Sequence, residues 1–274
     1  MIYLVTDSTA YLSRQEARDL KAVVVPMRFD RGGKDSYQEG YAEDWQPEPE
    51  QDLHGYSTAQ APTAAFIDVF QKLLGQGHQV LCLTISSRLS GTYFNAMQAA
   101  QETGGQVMVI DSRTTAGALY LMLREARSLI DQGLGLSDCF DRLRQMRKAT
   151  RTIFTLQDME PLRRSGRLGF MRSSVSTLLN LRPLLTLQDG SVVSHALARG
   201  KQDQLRQLVQ DISGQPSQVV VQYCGEEEAA QTLAERLRQK GIRVLKRPLG
   251  LVLAIHLGVP VLSTAWVEGG KPQE

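Results

Sequence analysis

Cysteine is scarce in this chain: Cys82, Cys139 and Cys224 lie far apart and are odd in number. No Cys-x-x-Cys pair and no Cys/His set stands at zinc spacing, which argues against a disulfide scaffold or a zinc module and for reduced thiols in the cytoplasm. Long hydrophobic runs are also missing. None approaches the roughly 18 residues of a membrane span, and the start lacks a basic stretch leading into an apolar one. The expectation is a soluble, cytoplasmic protein without stable membrane insertion. Charge of one sign is lacking too: 31 Lys and Arg stand against 29 Asp and Glu, so nothing argues for a nucleic-acid partner. Three chemical signatures are absent as well. There is no GxxxxGK[ST] phosphate loop, no GxGxxG after a strand and no GxSxG elbow. Four histidines, at 54, 78, 195 and 256, show no metal-ligand spacing, so neither a metal nor another cofactor is expected.

What is present is length and alternation. At 274 residues and 42% hydrophobic, the chain can bury a large core, and two domains are favoured over one. Strand-like runs at 2–6, 23–27, 79–85 and 106–110 alternate with helical patterns at 13–20, 63–75, 91–102, 115–131 and 137–148. Such alternation reads as a parallel sheet covered by helices. Residues 30–55 shift to Gly, Asp, Glu, Gln and Pro and read as an exposed acidic connection, clearest at Pro47-Glu48-Pro49-Glu50. A second unit opens with a strand at 151–156. A helix near 173–181 and a hairpin at 182–187 and 191–197, closed by an Asp-Gly turn, come next. The tail alternates again: helix 201–213, strand 217–223, helix 226–240, strand 242–247, helix 250–256 and strand 259–265. The expected fold is therefore two-lobed α/β, with a parallel-sheet N-terminal lobe over 1–150 and an α/β C-terminal lobe with a hairpin over 151–274.

Three apolar runs end in hydroxyl clusters. Ile2-Tyr3-Leu4-Val5 runs into Thr6-Asp7-Ser8-Thr9, Val80-Leu81-Cys82-Leu83 into the stretch from Thr84 to Thr92, and Val107-Met108-Val109-Ile110 into Asp111-Ser112-Arg113-Thr114-Thr115. In a parallel sheet these junctions gather at the carboxyl edge, where helix N-termini present unpaired N–H groups to anything negative. An anion held among small polar side chains is the chemistry this suggests. Asp7 reads as an N-cap in preference to a covalent nucleophile. Ser86, Ser87, Ser90 and Thr92 outnumber what local capping needs, and Ser90 is the candidate ligand contact. Gly91 beside it implies that something approaches the backbone closely. Thr58-Ala59-Gln60-Ala61-Pro62-Thr63 could be a loop with a capped helix start or part of a site. His256, which ends an apolar run, could be a core residue or a functional one. Arg163, Arg164, Arg167 and Arg172 could form a solvated face or pair with phosphate or carboxylate.

Taken in order, these segments resemble the DegV family, the fatty-acid-binding proteins that serve a bacterial fatty acid kinase. The resemblance rests on Thr6-Asp7-Ser8-Thr9, Thr58-Ala59-Gln60, Ile85-Ser86-Ser87-Arg88-Leu89-Ser90-Gly91-Thr92-Tyr93 and Val109-Ile110-Asp111-Ser112. It continues through Leu162-Arg163-Arg164-Ser165-Gly166-Arg167-Leu168, Leu179-Asn180-Leu181-Arg182-Pro183-Leu184-Leu185 and Ile255-His256-Leu257-Gly258. It implies a long-chain fatty acid as ligand, buried between the lobes, and a non-catalytic carrier role in phospholipid metabolism. By position, Thr58, Ser90 and Gly91 would bind the carboxylate with His256 near it. Phe170, Leu178, Leu181 and Leu253 would line the acyl tunnel, and Arg167 with Arg172 would face the kinase subunit. Ala59 replaces a usual Ser, and Leu257-Gly258-Val259-Pro260 replaces the usual Thr-Gly-Pro-Gly after the His. The competing reading from the residues alone is a hydrolase or transferase for a small anionic substrate, using Ser90 and His256.

Overall fold

A computed structural model describes residues 1–33, 35–44, 52–168 and 181–269. The chain forms two compact units, one comprising Met1–Trp45 and Gly55–Lys148, the other Gln46–His54 and Ala149–Glu274.

In the first unit β1 (Ile2–Asp7) ends in a single 3₁₀ turn, Ser8–Ala10, and α1 (Arg14–Asp19) follows. Ser13 and Glu16 form a reciprocal capping box at the start of α1, satisfying two of its orphan N–H groups. The chain continues through β2 (Ala22–Val25), β3 (Met27–Arg31), β4 (Asp35–Glu39), β5 (Tyr56–Ala59), α2 (Thr63–Gly75) and β6 (Gln79–Thr84). It completes the unit with α3 (Thr92–Thr103), β7 (Val107–Asp111), α4 (Ala116–Asp131) and α5 (Leu136–Met146). Strands β2-β1-β6-β7 form one sheet, parallel throughout, as the apolar runs predict. Leu4, Val5, Leu81, Leu83 and Ile110 sit in its core. Helices α2 and α3 pack against each other and the sheet, and so do α4 and α5.

A second, antiparallel sheet of order β4-β3-β5 corrects the reading of 30–55 as plain loop. Asp35, Ser36, Tyr37 and Gln38 of β4 are all exposed, so the strand carries no buried alternation to betray it. What holds it is pairing to β3, with the Tyr37 ring stacked 5.4 Å from that of the buried Phe29. The acidic stretch at 47–50 lies outside the described residues.

The second unit runs β8 (Thr150–Leu156), α6 (Glu160–Arg164), β9 (Leu181–Gln188), β10 (Ser191–Arg199), α7 (Gly200–Gln210) and β11 (Gln218–Cys224). It ends with α8 (Glu227–Gln239), β12 (Arg243–Pro248), α9 (Leu251–Leu257) and β13 (Val261–Val267). Six strands are ordered β10-β9-β8-β13-β11-β12, and of the pairs only β11 with β12 is parallel. The expected hairpin is β9–β10, turned at Asp189 (φ 48°) and Gly190 (φ 85°). Two left-handed residues in succession match the right-handed twist of the flanking strands. Trp266, Leu233, Val221 and Leu208 centre the core of this unit. Of the helix expected near 173–181, residues 173–180 lie outside the described residues, and Leu181 begins strand β9 instead.

Candidate functional site

The parallel sheet changes direction between β1 and β6. From β1 the chain passes through α1 to β2 on one side, and from β6 through α3 to β7 on the other. Outside the carboxyl ends at such a reversal lies the crevice where open α/β sheets take ligands. Asp7 joins the two ends. Fully buried, it accepts Ile85 N–H at 2.6 Å on one oxygen, and Thr9 N–H at 3.0 Å and the Thr9 hydroxyl at 2.6 Å on the other. Burial pushes its carboxyl pKa up, opposed by these same donors. It is the N-cap that its position after a strand suggested.

Most of the surrounding hydroxyls serve the backbone. Ser8 Oγ accepts Met27 N–H, Ser86 Oγ accepts Arg88 N–H, and Ser112 Oγ both accepts Thr114 N–H and donates to its carbonyl. Ser87 donates to Asp111 Oδ2 at 2.6 Å and its N–H bonds the other oxygen at 3.1 Å. Ser90 differs. Half-buried, it lies 2.9 Å from Thr92 Oγ1 and accepts Thr92 N–H at 3.3 Å. If Thr92 donates in that hydroxyl pair, Ser90 accepts twice and keeps its own proton for a further acceptor.

Thr58 lies on β5 opposite Phe29, half-buried. The chain after it is held to the Ser90 turn: Thr92 Oγ1 accepts Ala61 N–H at 3.3 Å, and Asn95 Nδ2 donates to the Ala61 carbonyl at 2.8 Å. Gln60 reaches over Gly91 so closely that a Cβ there would collide with its amide. The close approach inferred at Gly91 is thus made by the chain itself. The structure brings the segment bearing Thr58 against the turn bearing Ser90 and Gly91.

In the second unit His256 closes α9, half-buried. Burial, and secondarily the Arg167 guanidinium, lower its pKa to about 4, so the imidazole is neutral at pH 7. Arg167 is half-buried and donates to the Ser165 carbonyl. Beside them Ile255, Gly258 and Pro260 share a cavity of about 280 Å³ with Pro161 and Arg164. Leu253 is buried and Leu181 half-buried. Phe170, Arg172 and Leu178 lie outside the described residues. Among the described residues no three His, Cys, Asp or Glu side chains are grouped to hold a metal, and no helix is long and apolar enough to cross a membrane.

A family model described as uncharacterised proteins of the DegV family matches residues 1–269. The chain belongs to the DegV family. A DegV domain-containing protein of Halalkalibacterium halodurans is 28% identical over 277 residues, 97% of this chain and 98% of that protein. A solved DegV protein of Thermus thermophilus, described as binding fatty acid, is 29% identical with a TM-score of 0.88, over 97% of this chain and 99% of that one. A stearic acid-binding protein of Eubacterium ventriosum shares the fold at a TM-score of 0.87 and 19% identity, covering 98% of this chain and 99% of its own.

Two residues of the DegV chain that sequence reasoning left without a role organise this edge. Asp111 ends β7 as Asp7 ends β1, and it fixes Ser87 and the Arg113 N–H. Its signal was there, an Asp closing an apolar run. Gln60 had none beyond the glycine it covers.

Proposed function

We propose that this DegV protein binds a long-chain fatty acid, holds its carboxylate on Ser90 and Thr58 next to the Gly91 backbone, and presents it to a separate ATP-dependent kinase that forms the acyl phosphate. The observation that carries this is Ser90: a half-buried hydroxyl at the reversal of a parallel sheet, with a proton to spare once Thr92 donates to it. A desolvated carboxylate needs such donors, because burying it unpaired costs several kcal/mol. Hydroxyls leave an oxygen free to attack phosphorus, whereas a bidentate guanidinium engages both. Among the described residues the partner of the Ser90 hydroxyl is Thr92, not a general base, which favours carriage over hydrolysis. The fatty acid bound by the Thermus relative supports the same reading.

His256 is proposed as a further donor on its own chemistry, since an imidazole kept neutral gives one N–H without fixing a counter-charge. Leu181 and Leu253, with Phe170 and Leu178, are assigned to the acyl chain, and Arg167 with Arg172 to the kinase. Each buried CH₂ is worth roughly 0.8 kcal/mol, so a tail of about sixteen carbons gains on the order of 12 kcal/mol before the costs of association. The test is displacement of a fluorescent fatty acid from the Thr58→Ala/Ser90→Ala variant. Loss of two donors to a charged group predicts affinity lower by at least tenfold. Unchanged affinity contradicts the head-group assignment.

A further inference from the structure

Three arginines lie near the carboxyl end of β7: Arg113 and Arg147 each contact Asp111, and the charge of Arg144 acts on Arg147. Arg147, which caps the C-terminus of α5, donates from Nη1 to the Asp111 carbonyl at 2.8 Å. Arg113 holds Asp111 Oδ1 through its backbone N–H at 3.0 Å, in a left-handed conformation (φ 53°) that a non-glycine residue adopts at a cost. Arg144, one turn before Arg147, is exposed, with its guanidinium 5.5 Å from the Phe140 ring centre. The Asp111 carboxylate oxygens already serve Ser87 and Arg113. Cations near a helix C-terminus are ordinary. Less ordinary is that Arg147 Nε is buried without a hydrogen-bond partner. Burial and the neighbouring charges of Arg113 and Arg144 weaken its hold on its proton, and Asp111 only partly offsets them. Like charges gathered around a donor with nothing to donate to are costly, and an oxyanion would relieve both costs at once.

We propose that Arg113, Arg144 and Arg147 form a binding site for a phosphoryl oxyanion, free phosphate or a phosphate ester. A tetrahedral anion suits forked guanidinium donors, each able to give two parallel hydrogen bonds. Ser87, on the same turn as Ser90, faces Asp111 across this edge, so the site belongs to the carboxyl rim of the sheet. The inference stands apart from the fatty-acid reading, because its probe is phosphate and needs no lipid.

The experiment follows the arginine Nε–Hε resonances of the ¹⁵N-labelled full chain while inorganic phosphate, glycerol 3-phosphate or, at matched ionic strength, sodium chloride is added. A saturable shift of the Arg147 signal with a phosphate species and not with chloride is expected. In Arg144→Gln, an exposed change that leaves the fold intact, half-saturation moves to at least tenfold higher concentration. Tighter saturation by the ester marks an ester as ligand, and equal or tighter saturation by inorganic phosphate marks the free ion. No shift, a shift shared with chloride, or an unchanged curve in Arg144→Gln overturns the site.

Discussion

Asp7 and Asp111 show how one residue type at the end of an apolar run can build an edge by hydrogen bonds to the turns around it. Asp7 satisfies two backbone N–H groups and a hydroxyl in a place without water, so removing it strands donors that cannot find other partners. Asp7→Ala is expected to destabilise the protein by roughly 2–5 kcal/mol, seen as a lower urea midpoint. A loss below about 1 kcal/mol would mean the turn rearranges. His256 makes a prediction of opposite character. Its folded pKa of about 4 lies below the ordinary value of 6.5, so between these pH values the unfolded chain takes up a proton that the folded one refuses. The contribution is present above pH 6.5 and is lost as pH falls toward 4, by up to about 3 kcal/mol. The stability difference between wild type and His256→Gln should therefore shift against wild type over this window, and a constant difference would show the imidazole to be freely hydrated. At this scale the sequence revealed which positions were unusual. It did not reveal why: Gly91 announced a close neighbour, but that Gln60 was the neighbour depends on contact across 31 positions of chain.

Elements were legible wherever their own residues carried the pattern. The helix over 63–75 was expected from apolar spacing and a Pro-Thr entry and is observed as Thr63–Gly75. The β9–β10 hairpin was announced by Asp189-Gly190, because few residues besides Asp, Asn and Gly accept a left-handed backbone. Gly190→Ala adds a Cβ at φ 85° and is expected to cost about 1–2 kcal/mol, read as a lower Tm with the spectrum of the folded state retained. An unchanged Tm would mean that the turn adopts another type. Strand β4 escaped because it is held by a neighbour and exposes most of its side chains. Strand direction in the second unit escaped for a different reason. Alternating strands and helices describe a local sequence of elements, whereas the last strand, β13, inserts between β8 and β11 and pairs antiparallel with both. No local pattern encodes such an insertion.

For the whole molecule, membership of the DegV family and the mixed α/β fold agree with what the ordered motifs implied. The half-site on the first unit was legible as a set of hydroxyls, and geometry sorted those that serve the backbone from Ser90, which keeps its proton when Thr92 donates in their pair. The central claim is that this proton receives the head group of a fatty acid. The most direct measurement is mass spectrometry of organic extracts from the freshly purified protein, quantified per mole of chain. The account predicts a long-chain fatty acid approaching one equivalent in wild type and a small fraction of that in Thr58→Ala/Ser90→Ala. Wild-type protein that carries none, and takes up none when fatty acid is supplied, would contradict it.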